Sequence, residues 1–247
     1  PLDFYVLTDG PVERGLWPRV SYREWQHDGR NLRAKIATMH LATFAAAAAG
    51  RTIDTTIWAR FVQPAALVWQ RGADDAAAVA QALAAAAGTA AWLAAALGPP
   101  QGPEEEFWRA LFSATYRAEL RVEAPGRGDT ILATHRAHFT GLLPGIWARE
   151  GIAFDQDGAT LIPYLSRSQR ARARRWWARR RRMGKPLNVV RLMRAAATFE
   201  GAARYAAWKV ERHTGIAVTV TPWRERHPLL GAPAMLLEMA RKRRRRD

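Results

Sequence analysis

The sequence predicts an α+β protein: a small mixed sheet at the N-terminus, a helical middle and a basic helical C-terminal extension. Three observations carry this. The first 40 residues hold β-forming runs separated by turn signals. Ala-rich and apolar-periodic stretches follow. The charge is lopsided: residues 1–150 hold 15 Lys/Arg and 15 Asp/Glu, whereas residues 151–247 hold 23 against 7, so the whole net charge of +16 lies in the C-terminal part.

Each element has its own signal. Residues 2–8, Leu-Asp-Phe-Tyr-Val-Leu-Thr, are rich in β-formers and end at Asp9-Gly10-Pro11, which predicts a strand and a turn. Residues 17–26 give a weaker strand, Asp28-Gly29 a hairpin turn, and Leu32–Met39 the returning strand with Lys35 on it. Leu41–Ala49 reads as a short helix closed by Gly50. Pro64 breaks any regular element in 54–71.

Asp74 and Asp75 open a long Ala-rich helix to about Leu97, where acids suit the positive end of the helix dipole. Gly98-Pro99-Pro100 ends it. Pro103 and Glu104–Glu106 start another helix through about Leu120. Gly126–Asp129 reads as a turn, and Ala133–Arg149 as helix broken at Pro144-Gly145. Ile152–Leu165 is short and mixed. Ser166–Met183 is an intensely basic helix around Trp176 and Trp177, stopped by Gly184 and Pro186. A further amphipathic helix is expected over Val189–His213 and a strand over Ile216–Thr221, before the basic run Arg241–Arg246. The expected domains are 1–72, 73–150 and 151–247.

Composition narrows the function classes. The hydrophobic fraction of 49% is ordinary for a globular protein. The absence of cysteine excludes disulfides, zinc-thiolate sites and thiol nucleophiles. Ala76–Leu97 is uncharged, but Ala contributes little to membrane insertion, so it reads as a buried helix. No secretory leader is visible at Pro1. The C-terminal charge attracts anions: nucleic acid, anionic lipid or polyphosphate.

No P-loop, dinucleotide glycine fingerprint, HExxH or GxSxG motif is present. The six histidines are scattered and carry no role. Asp3 and Asp9, near a strand end, form a candidate pair for Mg²⁺, which takes one or two carboxylates plus substrate phosphates; turn-forming acids are the bland alternative.

Four blocks in order carry a resemblance: Leu2–Asp9; Asp28-Gly29-Arg30 leading to Arg33–Ala37; Trp58–Pro64; and Leu111–Arg121, with His138-Phe139 and Leu142-Leu143 continuing to about Trp147. Together they resemble the mitochondrial translocator assembly and maintenance family of phosphatidate cytidylyltransferases, in a bacterial-type branch. The resemblance covers roughly residues 2–147. It implies that the N-terminal sheet is part of a nucleotidyltransferase-like sheet. It implies transfer of CMP from CTP to phosphatidic acid with Mg²⁺, giving CDP-diacylglycerol.

The resemblance implies roles for particular residues. Asp3 is the first choice for Mg²⁺ and Asp9 the second. Lys35 and Arg60 would contact phosphate, and Tyr116, Arg117, Glu119 and Arg121 would bind substrate. Arg117 and Arg121 share a helix face, whereas Glu119 and Arg121 do not. Two departures stand out: Gln63 replaces a usual Lys, and Glu119 a usual Asp. The family's Gly-Ser phosphate loop lies upstream of its acidic strand, so an N-terminally truncated, inactive chain is one expectation.

A lipid substrate accounts for the basic C-terminal part. Arg174, Arg175, Trp176, Trp177 and Arg179 would meet an anionic membrane surface, Trp at the interface and Arg on phosphates. The location implied is cytoplasmic, peripheral on the inner face of a membrane, or matrix-side in a mitochondrion. The rival classes are an Arg/Trp-rich RNA-binding protein and a non-catalytic scaffold of the same fold.

Overall fold

The computed structural model describes residues 2–10, 19–118, 127–198, 207–208, 211 and 219–223. Helix accounts for 57% and strand for 20%, with the strands gathered in two small sheets, so the protein is α+β. Its contacts divide it into two units: residues 1–40 with 190–247, and residues 41–189. This division does not coincide with the boundaries expected at 72 and 150.

The first unit holds a three-stranded sheet of β1 (Leu2–Thr8), β2 (Arg19–His27) and β3 (Arg30–His40). The strand order is β1-β3-β2, with β1 parallel and β2 antiparallel to the central β3. Asp28 and Gly29 both take positive φ, 47° and 70°. That is the mirror-image turn whose twist suits a two-residue hairpin, and Asp-Gly is among the residue pairs that tolerate it. On the central strand Ala34, Ala37 and Met39 are buried.

The second unit is built on α3 (Ala73–Leu97), which packs against α1 (Leu41–Ala48), α2 (Thr56–Phe61), α4 (Glu104–Ala118) and α7 (Leu142–Arg149). By length and composition α3 would be able to cross a membrane. Its C-terminal half instead buries Ala86, Gly88, Ala90, Ala91 and 93–96 within the unit. Small side chains let the neighbouring helices approach closely, and the large ones supply the volume: Trp58, Trp108, Trp147, Phe44, Phe107 and Phe112 are fully buried. Glu104 ties α4 to α7. Its two oxygens accept the Gly141 and Leu143 amides at 2.7 and 2.6 Å, satisfying donors that a helix start leaves unpaired.

Three local expectations are corrected. Residues 127–129 of the segment read as a turn already belong to α5 (Arg127–Thr134). The helical break falls at Thr140-Gly141, between α6 (Arg136–Phe139) and α7, instead of at Pro144-Gly145. Pro144 sits in the first turn of α7, where its missing N–H has no intrahelical partner to lose. The mixed stretch after Ile152 is a hairpin of β5 (Phe154–Asp157) and β6 (Thr160–Pro163), joined by β4 (Gly102–Pro103).

The largest correction concerns the basic region. One helix, α8 (Arg167–Thr198), runs through both Gly184 and Pro186. A Cβ at Gly184 would collide with the carbonyl oxygen of Ala118, so glycine here permits close backbone packing. It is a contact residue and not a stop. Beyond residue 198, positions 207, 208 and 211 of the expected helix are helical and 219–221 of the expected strand are not in a strand; the rest of both, and the Arg241–Arg246 tail, lie outside the described residues.

Candidate functional site

On the first sheet, Asp3 pairs in register with Lys35, and Lys35 with Tyr22 on its other side. Side chains alternate along strands, so these three share one face with Glu24 and Arg33, which pair one step away. Asp3 is exposed and Lys35 half-buried. Glu24 is the hub of the deeper part: its Oε1 accepts the Tyr22 hydroxyl at 2.7 Å and the Arg33 Nε–H at 2.8 Å. Burial raises the Tyr22 pKa above the ordinary tyrosine value, with the Glu24 carboxylate reinforcing it. The Arg33 guanidinium lies 5.6 Å from the centre of the Trp208 ring, within cation–π reach.

Asp9 stands apart from Asp3 along the chain. It lies just past the end of β1, six residues from Asp3, a separation of roughly 20 Å along an extended strand. The expectation of an Asp3/Asp9 metal pair is corrected for that reason. Among the described residues no group of three His, Asp or Glu side chains is arranged to hold a metal.

The remaining expected residues belong to the second unit. Arg60 is in the last turn of α2, half-buried. The Gln63 amide donates to the Ala59 carbonyl at 3.0 Å, so it caps its own helix. His138 Nε2 sits 2.9 Å from the Val62 carbonyl and fixes the same helix end. Tyr116 is half-buried and Arg117 exposed, both in the last turn of α4. Glu119 and Arg121 lie outside the described residues.

The basic helix differs most from expectation. Trp177 is buried, and Trp176 packs against Trp92 with ring centres 5.6 Å apart and against Trp58 at 6.3 Å. Trp58 meets Trp177 as well, at 6.4 Å. This corrects the assignment of Trp176 and Trp177 to a membrane interface: both rings serve the core of the second unit. Arg180, which sequence reasoning left without a role, is buried beside them. Its guanidinium lies 3.2 Å from the Trp176 ring centre and donates to the Gly50 and Thr52 carbonyls at 2.7 and 2.5 Å. Burial, helped by the like charge of Arg179, pushes its pKa down to about 10.

Arg174, Arg175 and Arg179 remain exposed. Arg175 and Arg179 join Arg182, Ala178, Met183 and Ile53 around an open groove of about 590 Å³. The signal that would have found it is the i, i+4, i+7 spacing of 175, 179 and 182, which puts three cations on one helix face.

Comparison with known proteins finds no matching protein-family model and no matching curated protein.

Proposed function

We propose that this chain carries the fold of a nucleotidyltransferase that moves CMP from CTP to phosphatidic acid at a membrane surface, releasing pyrophosphate and forming CDP-diacylglycerol. The observation that supports the reading is the register of Asp3 with Lys35. The resemblance assigns these two roles from separate blocks of sequence, residues 2–9 and 28–37. An exposed carboxylate one strand away from an ammonium group suits a magnesium-bound polyphosphate.

In this reading a phosphatidate oxygen attacks the α-phosphorus of CTP. The bond from that phosphorus to the oxygen bridging to the β-phosphate breaks, and pyrophosphate leaves with the electron pair. Bound Mg²⁺ would neutralise phosphate charge during the transfer. Asp3 would supply the metal's protein oxygen. Lys35 would hold the polyphosphate. Catalysis of this kind rests on positioning and charge neutralisation, and needs no nucleophile from the protein.

The test is incorporation of radiolabelled CTP into phosphatidic acid with Mg²⁺, using the longest open reading frame that contains this chain. Labelled CDP-diacylglycerol is the expected product. A folded sample that yields none rejects the reading.

A further inference from the structure

We infer that the groove on α8 lined by Arg175, Arg179 and Arg182 is a seat for the phosphate headgroup of a membrane lipid. The inference shares its membrane setting and its lipid, phosphatidic acid, with the proposed function, but none of its residues.

Three features point to it. The three arginines hold no ion-pair partner among the described residues, although they stand one turn apart on a single helix face. Like charges so placed repel one another, and an anion between them removes the repulsion. The helix is anchored with this face turned outward. On its opposite side Trp177 and Ala173 are buried, and Arg180 is held by the Gly50 and Thr52 carbonyls. That same backbone segment carries Ile53, which forms the groove's apolar wall with Ala178 and Met183.

The lining therefore matches an amphiphile: guanidinium forks for phosphate oxygens, with hydrocarbon contacts beside them. It does not match a nucleic acid. Among the described residues no aromatic ring lines the groove, and Trp176 and Trp177, the platforms on which bases would stack, are turned into the core.

The test uses the full chain and sedimentation with phosphatidylcholine vesicles, with and without phosphatidic acid. The wild type is expected to bind the vesicles that contain phosphatidic acid. Arg175→Gln/Arg179→Gln/Arg182→Gln is expected to need about tenfold more lipid or above for half-binding. Arg167→Gln/Arg170→Gln/Arg181→Gln removes equal charge outside the groove, and should need about threefold more at most. Equal losses in the two variants would mean diffuse attraction only and would overturn the inference. So would displacement of the protein by inorganic phosphate alone, or a stronger groove-dependent affinity for an RNA oligomer. Should the Gln variant lose its circular dichroism signal, the triple Arg→Lys variant keeps the charge but not the forks. It should lose preference for phosphatidic acid over phosphatidylserine; an unchanged preference counts against the seat. Binding alone is read, so an inactive enzyme and an empty groove give different results.

Discussion

Asp3 and Lys35 stand directly opposite each other on β1 and β3, two parallel strands that no hairpin joins. The chain must complete β2 before β3 can bring Lys35 beside Asp3. Under the proposed function the pair acts as a unit on one polyphosphate. Asp3→Asn and Lys35→Met are each expected to lower CMP transfer about a hundredfold. Lys35→Met should also raise the KM for CTP. Because Asp3 is exposed, Asp3→Asn should shift unfolding stability by only about 0.5 kcal/mol. Full activity in either variant would remove the pair from the mechanism.

Tyr22 gives a pH dependence. Its folded pKa is raised above the unfolded value of 10.0, so the native state holds the hydroxyl proton more tightly. The stabilisation is complete below pH 10 and is lost as pH climbs above it, because the unfolded chain releases its proton first. Urea unfolding between about pH 8 and pH 11 should show this decline in the wild type. Tyr22→Phe should show a smaller one, having no proton to lose.

Arg180 is a structural cation. Replacing it with Met keeps much of the volume but leaves the Gly50 and Thr52 carbonyls without their donor. The expected loss is about 3 kcal/mol, read from chemical denaturation, since hydrogen bonds to charged groups are the strong ones and buried acceptors are costly to strand. A loss below about 1 kcal/mol would show that water replaces the guanidinium.

Two glycines within helices should respond in opposite directions. Gly184→Ala drives a methyl group into the Ala118 carbonyl and is expected to cost about 1–3 kcal/mol, outweighing the gain in helix propensity. Gly145→Ala in α7 meets nothing within 4 Å and should stabilise by up to about 1 kcal/mol. Thermal unfolding of both variants compares them directly.

The contrast between the two glycines explains how far the sequence could be read. Local chemistry was legible at the Asp28-Gly29 hairpin, the helix closed at Gly50, and α3 opened by Asp74 and Asp75. It failed where distant contacts decided. Gly184 and Pro186 carry stop signals, yet α8 continues through both, with the Ala118 backbone packed close against Gly184. The buried positions 173, 177 and 180 keep helical spacing, but the last is an arginine, which hides the apolar stripe. Within the candidate site the acid and the lysine were legible as residues. Their pairing was not, because parallel register depends on strand order and no turn encodes it.

The second unit is one unbroken length of chain, whereas the first is assembled from both ends of it. In sequence, the second unit is therefore an insertion that interrupts the first. Residues 41–189 are contiguous, but the boundary at Val189–Val190 falls inside α8, so a cut there would sever a continuous helix.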